Sequence, residues 1–143
     1  MFNLEYTTQC LCVQCQETLT THYLFNVAPP LLCFDVWHCA TMELSRSMTI
    51  NVSTRPLPVK YQLSSIIYFG QGHFTARYFS PSRSVLYHDG INGCDMVVDT
   101  VEHVNLRTCR GKMANLMLMM PTDSNSTYTS GCCLVFNASS ICK

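Results

Sequence analysis

The stretch from Val59 to Gly90 constrains what this chain can fold into more than any other. It holds three runs rich in β-branched and aromatic residues: Val59 to Phe69, His73 to Phe79, and Val85 to His88. Branched and ring side chains lose rotamer freedom against the preceding turn of a helix, and they fit the pleated surface of a sheet. Gly70-Gln71-Gly72 and Pro81-Ser82-Arg83-Ser84 separate the runs as turn punctuation. The expectation is an antiparallel meander that closes at Asp89-Gly90. Upstream, Leu31 to Trp37 follows Ala28-Pro29-Pro30 and reads as a buried strand, and Met48 to Val52 as another. Met96 to Val104 and Met113 to Met120 fit the helix and strand periods alike. The Met-rich run is read as core.

With 143 residues the chain is one domain or a piece of one. Hydrophobic residues make up 48% and charged residues 13%, which excludes a disordered chain. Nine Lys+Arg balance nine Asp+Glu, so there is no basic excess to neutralise phosphates, and nucleic acid is not an expected partner. No run of about 18 apolar residues occurs, so no transmembrane helix and no membrane partner are expected. Met1 to Tyr6 has neither the basic start nor the apolar core of a secretory signal. A cytoplasmic or nuclear location follows as an expectation, and there ten cysteines read as metal ligands and buried thiols. Asn-x-Ser/Thr triplets at Asn51, Asn125 and Asn137 compare with about 1.5 expected by chance, and a secreted disulfide-linked structural domain stays as a competing reading.

Two features carry chemistry. Cys12-x-x-Cys15 has the spacing with which two thiolates close on one structural zinc, although such a site takes about four protein ligands. Cys10, His22, Cys33, His38 and Cys39 are conceivable completions; unligated or redox-active thiols are the alternative. The second feature is His73 with Asp89. A histidine that opens a strand after a Gly-x-Gly turn lies at a sheet end, and an antiparallel neighbour returns Asp89 to it. A carboxylate beside an imidazole orients the ring and stabilises its charged form, as in the base-and-orienter part of a nucleophilic triad. The plain alternative is a surface histidine and an Asp-Gly turn.

The order of these motifs resembles the ubiquitin-specific peptidase family. Tyr61-Gln-Leu-Ser-Ser-Ile-Ile-Tyr-Phe-Gly-Gln-Gly-His73-Phe-Thr-Ala-Arg-Tyr is similar to its histidine box, and Leu86-Tyr87-His88-Asp89-Gly90 to its Trp-Tyr-x-x-Asp strand. Cys12-x-x-Cys15 followed by Pro29-Pro30-Leu31-Leu32 resembles the second zinc Cys pair and the Leu-Pro-x-x-Leu strand. Ala114-Asn115-Leu116-Met117-Leu118 sits where the family has Ala-Tyr-x-Leu-x-Tyr. The Gly-His-Phe-Thr-Ala-Arg form looks closer to divergent members, SUMO-directed and transposon-associated, than to mainstream deubiquitinases. The resemblance implies an α+β, mainly antiparallel-β fold: a partial papain-like cysteine peptidase, palm and finger, without its N-terminal helical part. It implies a finger remnant over 10–25, a palm sheet over 28–120, and a polar linker and tail over 121–143.

The chain also departs from the family. The family's Cys box, Asn-x-Gly-x-x-Cys, has no match; Asn92-Gly93-Cys94 follows His73, in the wrong order. The first zinc Cys pair is absent, and Phe34-Asp35-Val36-Trp37 stands in place of Lys-Arg-Phe. The resemblance thus implies a C-terminal half with His73 as general base and Asp89 as its orienter. Its partners would be ubiquitin or a ubiquitin-like protein and a missing N-terminal half, and alone it would be inactive. A non-catalytic binding module is the alternative, and Cys10, Cys12 or Cys15 as substitute nucleophile a remote one.

Overall fold

The computed structural model describes residues 10–11, 18–19, 25–38, 43–82, 84–91, 95–99, 104–122 and 133–137. β1 (Cys10–Leu11) and β2 (Thr18–Leu19) form a small antiparallel ladder with Cys10 opposite Leu19. The remaining elements are β3 (Leu31–Asp35), β4 (Ser47–Ile50), β5 (Val59–Gly70), β6 (His73–Phe79), β7 (Val85–Asp89), β8 (Met96–Val98), β9 (Thr108–Cys109), β10 (Lys112–Pro121) and β11 (Cys133–Asn137). They make one nine-stranded sheet in the order β11, β3, β10, β5, β6, β7, β8, with β4 on β5 and β9 on β10. Every pairing in it is antiparallel except β11 on β3.

The described residues contain no helix, and this overturns the expected α+β, partial papain-like palm-and-finger fold. Its helical component came with the family resemblance; from the residues alone, Met96 to Val104 and Met113 to Met120 are open to helix or strand. Met113 to Met120 lies within β10, which pairs with β3 on one side and β5 on the other, so ladder bonds on both edges hold the extended form. Of the other ambiguous stretch, Met96 to Val104, the described residues Met96 to Val98 are strand.

The expected meander is present. Cross-strand pairs share a face, so the pairings divide the sheet into two sides. Tyr61, Leu63, Ile66 and Tyr68 of β5 stand on one side with Met117 and Met119 of β10 and Leu32 and Phe34 of β3. A register shift between Leu63 and Ser65 of β5 lets Leu63 and Ile66, three positions apart, occupy the same face. That side is covered: these eight residues are buried together with Ala28, Val36, Ile50, Val52 and Val59. Tyr61 is fully buried and donates its hydroxyl to the Pro29 carbonyl at 2.7 Å, which ties the segment before β3 over the sheet. Each such side chain contributes roughly 1.5–3 kcal/mol on burial. The opposite side carries Phe69, Phe74, Tyr78, Met113, Met96 and Val98, and Phe74 is 55% and Val98 58% exposed.

Two hairpins of minimal length close the end of the sheet that matters below. Gln71-Gly72 joins β5 to β6 and Arg110-Gly111 joins β9 to β10, with positive φ at all four residues (54°, 80°, 48° and 79°). These are mirror-image turns whose twist matches that of the flanking strands, and they favour Gly or Asn. The two tips are neighbours: a β-carbon on Gly111 would stand 3.6 Å from the Gln71 side-chain nitrogen.

Candidate functional site

His73 is the first residue of β6 and Asp89 the last of β7, and the β6–β7 register sets Thr75 opposite Asp89. Alternation puts both side chains on the covered face, at its end. His73 Nε2 lies 3.4 Å from Asp89 Oδ1, with the side chains 22% and 19% exposed. The approach has charge-pair distance without hydrogen-bond geometry, and Nε2 is shielded from solvent with no hydrogen-bond partner. A catalytic hydrogen bond is often this loose until substrate is bound.

The carboxylate is held from several directions. Its pKa lies below the ordinary value, first because Oδ1 accepts the Ile91 backbone N–H at 3.2 Å, then through the charges of His73 and Lys112 and the Tyr87 hydroxyl. The Tyr87 hydroxyl donates to Oδ2 at 3.4 Å. Burial, and then the Asp89 charge, push the Tyr87 phenol up. Lys112 is itself buried, and its side-chain stem crosses Gly70, where a β-carbon would come within 3.1 Å of its Cγ. The Asp-Gly turn and the carboxylate facing His73 are therefore one feature serving both purposes.

Sequence reasoning missed three residues here. Arg77, two alternations along β6 from His73, is buried; its Nε donates to Asp99 Oδ2 at 2.7 Å and its Nη1 to the carbonyls of Asn105 (3.0 Å) and Thr108 (3.3 Å). It clamps the segment before β9 onto the sheet. Arg110 places its guanidinium carbon 3.7 Å from the centre of the Tyr87 ring. Tyr68 is buried with an unpartnered hydroxyl, and burial pushes its phenol up to about 12. The phase of Arg77 with His73 along an alternating strand was the one signal available in the sequence.

Cys33 and Cys109 are both buried, and Cys109 is a free thiol. Burial pushes the Cys109 thiol up, which disfavours the thiolate that a nucleophile needs. Cys12 and Cys15, the expected zinc pair, lie outside the described residues; β1 and β2 flank them in sequence. Among the described residues no three His, Cys, Asp or Glu side chains gather as a metal site. No helix among them is long and apolar enough to cross a membrane. His88 faces the opposite side of the sheet, in a groove of about 400 Å³ with Ile67, Phe74, Tyr78 and Leu118.

No protein-family model matches the chain, and no curated protein matches its sequence. A chain of the solved SAGA DUB module, Ubp8 with Sgf11, Sus1 and Sgf73 bound to monoubiquitin, is similar in structure. The match has a TM-score of 0.50 and 16% identity and covers 82% of this chain and 29% of that one. This chain thus spans less than a third of that neighbour's length, and the likeness is one of fold alone.

Proposed function

We propose that this chain is the histidine-box portion of a cysteine isopeptidase directed at ubiquitin or a ubiquitin-like protein, spanning about residues 10–120 and inactive alone. The observation that carries this reading is the approach of His73 Nε2 to Asp89 Oδ1, on a sheet similar in fold to part of a chain in a deubiquitinase module. With the carboxylate at Nε2, that nitrogen keeps the proton and Nδ1 offers its lone pair. Nδ1 takes the proton of a thiol, the thiolate adds to the isopeptide carbonyl, and the charged ring returns the proton to the departing lysine amine. Water then splits the thioester by the same exchange. The thiol is one that Cys33 and Cys109 do not supply.

Those two buried thiols favour a second reading, a non-catalytic module that binds a ubiquitin-like protein. The readings separate on the transcript: an in-frame Asn-x-Gly-x-x-Cys segment ahead of Met1 supports the peptidase, and a stop codon close upstream of Met1 overturns it. Titration of isotope-labelled ubiquitin and ubiquitin-like proteins with the chain tests the substrate class. Shifts in their C-terminal tails are expected, and unmoved spectra throughout would sink both readings.

Cys12 and Cys15 fit half of a tetrahedral zinc set by chemistry and spacing. Zinc measured by mass spectrometry in the purified chain, lost in the Cys12→Ser/Cys15→Ser variant, is the expected result; equal zinc in both would refute the assignment. A cytoplasmic or nuclear location belongs to the same proposal.

A further inference from the structure

Arg110 occupies the first position of a two-residue turn at φ 48°, a backbone conformation in which a β-carbon is unfavourable and Gly or Asn is preferred. Arginine brings nothing to such a turn except its side chain, and that side chain stacks on an aromatic ring: its guanidinium carbon lies 3.7 Å from the centre of the Tyr87 ring. Van der Waals contact at this distance, with a cation over the ring face, is the favourable geometry for a guanidinium and an aromatic quadrupole. Tyr87 is buried, so its ring has little freedom to tilt. Its hydroxyl donates to Asp89 Oδ2, the oxygen that does not face His73.

We infer that Arg110 and Tyr87 act as positioning residues for the His73–Asp89 pair: Arg110 fixes the Tyr87 ring, and the Tyr87 hydroxyl fixes the rotation of the Asp89 carboxylate, so that Oδ1 stays turned to Nε2. This rests on the reading of His73 and Asp89 as base and orienter. Without the relay Oδ1 keeps its backbone partner at Ile91, but Oδ2 is free to swing toward Lys112, whose charge also acts on the carboxylate. The arrangement ties the site to a hairpin, β9 to β10, more than 15 residues further along the chain than β7. Arg77 does not substitute for Arg110, because its guanidinium is committed to Asp99 and two carbonyls.

The consequence is spectroscopic and needs no turnover. A carboxylate held at Nε2 favours the Nε2–H tautomer of the neutral ring, which the two ring-nitrogen chemical shifts of His73 report directly. In the full chain that tautomer is expected to dominate. Arg110→Asn keeps a residue suited to the turn while removing the cation, and Tyr87→Phe keeps the ring while removing the hydroxyl. Each is expected to lower the ratio of Nε2–H to Nδ1–H about threefold, the factor that an exposed cation–π contact contributes. Arg110→Lys restores most of the ratio. Gln71→Asn, on the adjacent hairpin tip, leaves it unchanged, which separates positioning from a general loosening of this end of the sheet.

If Arg110→Asn and Tyr87→Phe both keep the wild-type ratio while Asp89→Asn shifts it, the relay is wrong and the pair stands. If Asp89→Asn itself leaves the ratio unchanged, the pair is not coupled and the reading beneath the relay falls with it.

Discussion

The two faces of the sheet are made of nearly the same residues and have opposite fates. On the covered face Leu32, Tyr61, Ile66, Tyr68 and Met119 are shut away from water; on the other, Phe74, Tyr78, Met96, Met113 and Val98 stand open to it. Trp37, Phe69 and Phe74 run across that open side, with ring centres 6.0 Å and 4.6 Å apart along the series. Apolarity alone does not decide burial: on the covered face Ala28 and Val52 pack into the core, Tyr61 holds the Pro29 carbonyl, and Arg77 holds the segment at Asn105. The covered face differs also in what happens at its end, where the polar side chains of His73, Tyr87, Asp89 and Lys112 take over from the apolar core.

The sharpest test of that contrast is the buried Arg77–Asp99 pair. Asp99→Ala leaves a guanidinium uncompensated beneath the segment before β9 and is expected to cost about 3–5 kcal/mol in urea unfolding. A cost near zero would show that this side is wetter than described. Next comes a matched pair of truncations. Ile66→Ala on the covered face is expected to cost about 2–5 kcal/mol, whereas Phe74→Ser on the open face stays within about 0.5 kcal/mol and reduces binding of a hydrophobic dye. Equal costs would erase the distinction between the faces.

A smaller effect separates them by titration. The folded Tyr68 phenol is raised to about 12 from 10.0, so its contribution to stability is complete below pH 10 and is lost as pH rises from there through about 12. Tyr68→Phe removes an unpartnered buried hydroxyl. It is expected to alter stability at neutral pH by at most about 1 kcal/mol and to shift alkaline unfolding upward. An unchanged alkaline midpoint would place the phenol in contact with water.

The smallest effect belongs to the site. The folded Asp89 carboxyl lies below its ordinary value, so its contribution is present above about pH 4 and is lost as pH falls through the folded value. Asp89→Asn should therefore flatten the acid limb of the stability profile. An acid limb as steep as in the unaltered chain would mean that the contacts from Ile91, His73 and Tyr87 do not hold the charge.

The meander was legible because each of its strands alternates and each is bounded by turn residues. The expected Val59–Phe69, His73–Phe79 and Val85–His88 correspond to Val59–Gly70, His73–Phe79 and Val85–Asp89. The same alternation foretold that His73 and Asp89 would meet. β10 resisted because both of its faces are apolar: Ala114 and Met119 are buried while Met113 and Met120 are exposed, and a run with no polar beat has no readable period. The partners of Arg77 and Arg110 lie on other strands or in loops, and no local pattern announces such contacts. The helices expected from the family resemblance had no unambiguous support in the periodicity, since Met96 to Val104 and Met113 to Met120 fit both periods.

The place of β10 in the sheet has a consequence for the order of assembly. It lies between β3 and β5, with Phe34 opposite Met117 and Ile66 opposite Met117 on its other edge. On a ribosome, β5, β6 and β7 can pair as soon as they emerge, since two- to five-residue turns link them and loop closure is fast. β3, made before any of them, then waits alongside a finished meander with no strand to hold it. Synthesis must run past Lys112 before β10 slides into the gap and welds the early strand to the rest.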